Sequence, residues 1–287
     1  MKNIKYFLQS ITIIFLFFIF KFLGLKYSSI LSGKIFKFLG PFFRSNKISL
    51  SNLTKAFPTL NEREKNNIIK MMWENIGKIF AEYLFLKNFR QSDSFSKRII
   101  VENENELNLV KQSSKPVIFI SGHFNNFELM AMYIEKSGVN IAAIYRPLNN
   151  KFLNPIMEYI RKKYICRKQI KKGMSGMKEL LKSYKNGSSI ALMIDQRVSE
   201  GIPSKFFNQN AFTTTIPAQF VKKFGSKIVP VHIERIGENK FKIKFYKSIE
   251  FSKNESLENI TLNLNNLLEE MIKKNPEQWI WSHNRWK

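Results

Sequence analysis

The sequence predicts an α/β fold, with a mostly parallel central sheet flanked by helices, behind an N-terminal membrane-anchoring helix. Three observations carry this. Strand-length apolar runs alternate with segments of helical periodicity from Pro116 onward. His123, Arg146 and Asp195 each follow such an apolar run, as residues at the C-terminal edge of a parallel sheet would. The chain opens with a long uncharged stretch set among lysines.

That opening comes first in the chain. No Asp or Glu precedes Glu62, and the run from Tyr6 to Phe20 is uncharged. As a helix, Ile4–Leu25 would be about 33 Å long at 1.5 Å per residue, a match to a hydrocarbon core of about 30 Å. Lys21 falls inside it and is long enough to snorkel to the headgroups. A signal peptide fits the start, but a small-x-small cleavage site is not evident after the apolar run. A buried core helix would be apolar on all sides and end among lysines. The anchor reading fits best, and the more numerous downstream lysines place the body in the cytoplasm. Tyr27–Arg44 then mixes Ile30, Leu31, Ile35, Phe36, Phe38 and Leu39 with Lys34, Lys37 and Arg44. This reads as a basic amphipathic segment on an anionic membrane surface, or as a core helix with a solvated lysine face.

The body follows. Asn61–Leu86 has Ile68, Ile69, Met72, Ile76, Ile79, Phe80 and Tyr83 at helical spacing. Strands are predicted at Pro116–Ile120, Asn140–Tyr145, Ser189–Ile194, Lys227–Ile236 and Lys240–Phe251. Helices are predicted at Asn126–Ser137, Asn150–Tyr164, Ser175–Lys185, Ile216–Phe224 and Ser256–Lys274. No internal repeat or Pro/Gly/Ser linker divides the chain.

The net charge is +25 over 287 residues, with 44% apolar residues. Such an excess implies an anionic partner. No Gly-rich phosphate loop or nucleic-acid module is present, so nucleic acid is not expected. The single cysteine, Cys166, allows no internal disulfide and fits a reducing compartment. It reads as a buried thiol. His123, His232 and His283 lack metal-ligand spacing, so no metal is expected.

The most informative stretch is Ile120-Ser-Gly-His-Phe-Asn-Asn-Phe-Glu128. Five positions apart on one helix, His123 and Glu128 would diverge by about 140°. With His123 in a strand-to-helix turn and Glu128 in the first helical turn, they converge. A carboxylate there would hold one imidazole nitrogen and leave the other to take a proton. A satisfied polar residue or cap is the plainer reading of a lone histidine. Ser121 is a rival nucleophile, but the Gly-x-Ser-x-Gly elbow is absent.

Taken together, these residues resemble the late acyltransferases of lipid A biosynthesis, over nearly the whole chain. The carriers are Asn52-Leu-Thr-Lys-Ala-Phe-Pro58, Gly122-His-Phe-Asn-Asn-Phe-Glu128, Tyr145-Arg-Pro-Leu-Asn-Asn150, Arg161, Asp195-Gln196 and Pro276-Glu-Gln-Trp-Ile-Trp-Ser-His283. Asn125 departs from the usual Gly and Phe127 from the usual Trp. The resemblance implies transfer of a fatty acyl group from acyl carrier protein to a hydroxyl of an anionic, Kdo-bearing lipid A precursor. It implies no cofactor and a place at the inner membrane. His123 would be the base, Glu128 its orienting partner, and Arg161 an oxyanion or phosphate ligand. Arg146, Asn150, Asp195, Phe124 and Phe127 would contact substrate, the two phenylalanines as walls of an acyl groove with Met130. Asp195 reads equally as support for the site or as a loop cap, and Trp279 and Trp281 as core or interfacial residues. Residues 1–25 would then be a single-pass transmembrane anchor, 26–60 a basic membrane-surface segment and 61–287 the acyltransferase domain. Competing readings are a glycerophospholipid or mannolipid acyltransferase, and a non-catalytic membrane-tethered nucleic-acid or lipid-binding protein.

Overall fold

The computed structural model describes residues 2–43, 46–113 and 115–287, so Arg44 of the basic segment lies outside the described residues. The chain begins with α1 (Lys2–Phe43), α2 (Asn46–Ala56) and α3 (Glu62–Glu82). Short helices α4 (Leu86–Gln91) and α5 (Asp93–Ser96) lead to strand β1 (Ile99–Glu102) and helix α6 (Glu104–Gln112). Strands and helices then alternate: β2 (Ile118–Ser121), α7 (Glu128–Lys136), β3 (Ile141–Tyr145), α8 (Asn154–Ile160), β4 (Lys168–Lys171), α9 (Met174–Lys185) and β5 (Ser189–Met193). A hairpin of β6 (Ile202–Phe206) and β7 (Gln209–Thr213) precedes α10 (Ile216–Phe224), β8 (Ile228–Gly237), β9 (Lys240–Phe245) and α11 (Leu257–Lys274).

Seven strands form one sheet in the order β1-β9-β8-β2-β5-β3-β4. All neighbours are parallel except the hairpin pair β8 and β9. This is the mostly parallel sheet that the alternation predicts. β2 is buried at every position because helices cover both faces, as parallel sheets require. β1, β4 and the β6–β7 hairpin are additional to the predicted strands. The first two are short edge strands, and β4 (Lys-Gln-Ile-Lys) has too little apolar pattern to be read.

Local chemistry sets the helix ends. Asn61 caps α3: its side chain accepts from Glu64 N at 3.0 Å, and Glu64 Oε2 accepts from Asn61 N at 2.8 Å. Ser256 Oγ accepts from Asn259 N at 3.0 Å at the start of α11. Gly225, at φ 64°, closes α10 in the left-handed region.

α1 is broken at Gly24 (φ 70°, ψ 172°), a conformation that a side chain would resist. Past this break the covered side is Leu25, Ser28, Ser29, Ser32, Gly33, Phe36 and Gly40, whose serines and glycines bring α1 close to α3. A Cβ on Gly77 of α3 would lie 2.4 Å from the Ser32 carbonyl oxygen, and Ser32 Oγ donates to the Gly77 carbonyl at 2.7 Å. The other side exposes Leu31, Phe38 and Phe42 beside Lys34. The segment is thus both a packed core helix and an apolar, basic outer face.

A polar cluster sits beneath this packing. Glu82 at the end of α3 is fully buried. Arg235 of β8 donates to both its oxygens, at 2.7 and 3.0 Å. Ser29 of α1, Asn126 and Asn239 donate to the same carboxylate at 3.1, 3.1 and 3.2 Å. Removing one partner strands the other as an uncompensated buried charge, which costs about 3–5 kcal/mol. Glu82→Ala should therefore lower the unfolding free energy by about that amount in a denaturant titration. A loss below about 1 kcal/mol would mean that the pair is dispensable.

Candidate active site

The site lies at the C-terminal edge of β2 and β5. β2 ends at Ser121, and Gly122 and His123 form the turn into α7. Asn125 takes φ 39° there, a left-handed value that Asn tolerates better than most residues. Its side chain fixes the turn: Nδ2 donates to Asn75 Oδ1 and Gln278 Oε1, both at 3.0 Å, and Oδ1 accepts from Asn126 N at 2.7 Å.

His123 is oriented by Asp195, not by Glu128. Nδ1 lies 2.8 Å from Asp195 Oδ1, and the His123 backbone N–H donates to Asp195 Oδ2 at 2.9 Å. Trp279 Nε1 donates to the same Oδ2 at 2.8 Å. Asp195 follows β5, and β2 and β5 are direct neighbours, so adjacent strand ends bring the pair together. The His123 side chain is 21% exposed and that of Asp195 2%. Burial works to raise the Asp195 pKa. The His123 charge, its ring and backbone hydrogen bonds and the Trp279 indole outweigh burial and hold Asp195 at about 2. Burial works to lower the imidazole pKa, but the Asp195 carboxylate, with a smaller contribution from Glu128, raises it above the ordinary 6.5.

Glu128 opens α7 and turns instead to Arg161. Arg161 Nε and a terminal nitrogen donate to Glu128 Oε1 at 2.8 and 2.5 Å. Arg161 starts a π-helical turn, Arg161–Ile165, at the end of α8, a form common at functional sites. Its guanidinium lies 5.8 Å from the centre of the Tyr145 ring. Burial and then the Glu128 charge push the Tyr83 hydroxyl's pKa up beside this pair. The expectation that Glu128 holds the imidazole is thereby corrected. A strongly held guanidinium occupies the carboxylate, although its charge still reaches His123.

The other expected residues divide. Arg146 is exposed just past β3. Asn150 is buried and fully engaged: Oδ1 accepts from Phe152 N, Leu153 N and Ser10 Oγ, and Nδ2 donates to the Tyr6 carbonyl. It is a turn cap and a tether for α1 rather than a free substrate ligand. Asp195 spends its oxygens on His123 and Trp279, so it supports the imidazole. Phe124 is 1% exposed and meets His232 edge to face at 4.7 Å, so it belongs to the core, as does Met130. Phe127 is half-buried and packs edge to face on His123 at 4.9 Å. Ser121 Oγ is buried and contacts Met130 Sδ at 3.5 Å, away from the imidazole's partners. Burial pushes the Cys166 thiol up to about 12, which keeps it an inert thiol.

Sequence reasoning took Trp279 for core or belt and missed its bond to Asp195. The only signal was an indole in the tail motif, since indole N–H groups rarely stay unpaired when buried. The roles of Glu82, Arg235, Asn75 and Gln278 gave no local signal.

Fold and site together define an α/β protein with a carboxylate-held histidine, partly open to solvent, at the C-terminal edge of a parallel sheet. The chain belongs to the bacterial lipid A biosynthesis acyltransferase family, whose model matches residues 1–287, and it is an acyltransferase. Among solved structures, the 1-acyl-sn-glycerophosphate (LPA) acyltransferase PlsC from Thermotoga maritima is similar at 17% identity. That alignment covers 87% of this chain and 98% of PlsC, with a TM-score of 0.42. No curated protein matches.

The pair also sets a pH window. Asp195, held at about 2 against its ordinary 3.8, contributes stability that is present above pH 3.8 and lost as pH falls toward 2. His123, raised above 6.5, contributes stability that is full below pH 6.5 and lost as pH rises through its folded value. The stability gap between wild type and Asp195→Asn should therefore be widest from about pH 4 to 6.5 and narrow on both sides. Paired denaturant titrations across pH read it directly, and a gap independent of pH would contradict the ion pair.

Proposed function

We propose that this acyltransferase moves a fatty acyl chain from acyl carrier protein to a hydroxyl of a Kdo-bearing lipid A precursor, at the cytoplasmic face of the inner membrane. The observation that carries the proposal is the His123–Asp195 pair with its ring edge exposed, in a chain whose family acts in lipid A biosynthesis.

The geometry supports the following chemistry. His123 Nε2 takes the proton of the acceptor hydroxyl as that oxygen attacks the thioester carbonyl. Asp195 fixes the ring and stabilises the imidazolium. The tetrahedral intermediate collapses with cleavage of the C–S bond, and the imidazolium returns its proton to the departing thiolate. Arg161, held by Glu128 within electrostatic reach of His123, is the cation for the developing oxyanion or for an acceptor phosphate. No acyl-enzyme is required. Exposed Arg146 and the net charge of +25 suit an acidic carrier protein and a phosphorylated, carboxylated acceptor.

His123→Ala should lower turnover by at least about a hundredfold, with the fold intact by circular dichroism. Glu128→Ala should do likewise by releasing Arg161. Near-normal turnover of purified His123→Ala with acyl carrier and lipid A precursor would end the proposal. In a deletion strain, mass spectrometry of lipid A should show one acyl chain missing, and an unchanged profile would reject the acceptor.

Phe127, half-buried against the base, is the phenylalanine placed to line the acyl chain near the reacting carbonyl. Phe127→Ala should broaden or lengthen the preferred donor across a graded series of acyl carriers. An unchanged length profile with a lowered melting point would make it a packing residue only.

A further inference from the structure

The first half of α1 is held to the body at both ends. Near its start, Asn150 Nδ2 donates to the Tyr6 carbonyl at 2.9 Å and accepts at Oδ1 from Ser10 Oγ at 3.1 Å. The Phe7 and Phe152 rings meet edge to face at 5.6 Å. Near its end, Phe17 and Phe20 pack on Phe80 of α3 at 5.0 and 6.4 Å between ring centres. Tyr6, Ser10, Ile13, Phe17 and Phe20 recur at helical spacing and make one covered stripe. Ile4, Leu8, Ile11, Phe15, Phe18 and Phe22 are exposed on the other side.

Length and composition alone would let this helix cross a bilayer, but its contacts do not. From Tyr6 to Leu25 the axial distance is about 28 Å at 1.5 Å per residue, close to the hydrocarbon thickness of about 30 Å. With the Leu25 end at one interface, the loop bound to Tyr6 could reach the other only by passing, with the body that joins it to Phe80, through the hydrocarbon. That loop has exposed Arg146 and Lys151 and an irregular backbone. Hydrocarbon does not accept lipid-exposed irregular backbone, and charges within it are expensive.

We infer that the first half of α1 lies along an anionic phospholipid surface, with α8 and the loop before it in the same plane, and does not cross the bilayer. Interfacial helices need a polar or occupied side, and here the body occupies it. The surface continues from Phe7 through Phe152 to α8, where Ile156 and Tyr159 are 43% and 56% exposed. Exposed Lys151, Lys162 and Lys163 fringe it, the charge that an anionic headgroup layer attracts. α8 runs straight into Arg161, whose guanidinium is bonded to Glu128. The membrane plane therefore ends at the site, and a lipid acceptor reaches His123 without its acyl chains leaving the bilayer. The inference rests on the membrane association proposed above.

The test measures depth. Ile4, Phe15 and Phe22 lie on one side of the helix and are 65%, 61% and 77% exposed. Buried Cys166 does not compete for label. The full chain, carrying Ile4→Cys, Phe15→Cys, Phe22→Cys or Ile156→Cys labelled with bimane, is reconstituted into phosphatidylethanolamine–phosphatidylglycerol vesicles. Lipids brominated at graded acyl positions then quench the label. All four probes should report the same shallow depth. In a crossing helix Phe15, near the bilayer middle, would sit about 15 Å deeper than Ile4 and about 10 Å deeper than Phe22, and that result overturns the in-plane arrangement alone. Quenching on α1 without quenching at Ile156 removes α8 from the surface and overturns the proposal as stated. No quenching at any probe overturns the membrane association as well.

Discussion

The Glu82 carboxylate is the joint on which the active site hangs. It is fully buried and receives Arg235 from the sheet, Ser29 from α1, Asn126 from the turn after His123 and Asn239 from the β8–β9 turn. Buried ions are tolerable only when paired and hydrogen-bonded, so each donor's position is dictated by the others. The result couples the N-terminal helix to the turn that follows His123. A charge here is a costly way to gain stability, and a well-packed apolar replacement of the whole cluster could match it. What the cluster specifies is geometry, because hydrogen bonds are directional and apolar contacts are not.

A second joint is Asp195. It receives the His123 backbone and ring and the Trp279 indole. Since Trp279 comes from the tail, the last segment of the chain helps to position the imidazole that follows β2. Gln278, one residue earlier, accepts from Asn125 Nδ2 and from Arg235 N, and its carbonyl accepts from Asn125 N at 2.9 Å. The tail motif is therefore a clasp over the turn. Asn52 extends this clasp by donating to the Trp281 and His283 carbonyls at 2.7 and 2.6 Å. Two motifs separated by most of the chain are one structural unit.

Much of this was legible in the sequence, and the boundary of legibility is physical. Apolar runs marked β2, β3, β5 and β8, because buried strands must be apolar on both faces, and alternation of Lys with Phe and Ile marked β9. Placing His123, Arg146 and Asp195 after strands put them on one sheet edge, because parallel strands align their C-terminal ends. Partner choice was not legible. The His123–Glu128 spacing permitted a contact, but Asp195 lies across a strand boundary at 2.8 Å and Arg161 competes for Glu128. Hydrogen-bond pairing between distant segments leaves no periodicity to read. Asn150 shows the same limit: its amide looks free for a ligand in the motif, yet α1 and its own turn consume it.

Asn125 shows how a departure from the family pattern is accommodated. The turn needs a left-handed residue at this point, for which Gly carries no steric penalty. Asn pays part of that penalty at φ 39°, but its amide then makes contacts that Gly could not. Nδ2 reaches Asn75 and Gln278, while Oδ1 receives Asn126 N and one Arg235 nitrogen at 3.2 Å. Those bonds connect α3, the tail and β8 through one side chain at the base of the turn that carries His123. The substitution exchanges backbone ease for a fixed position. That exchange is favourable where the same turn must hold the His123 imidazole against a buried carboxylate, because orientation is what the proposed proton transfer would require.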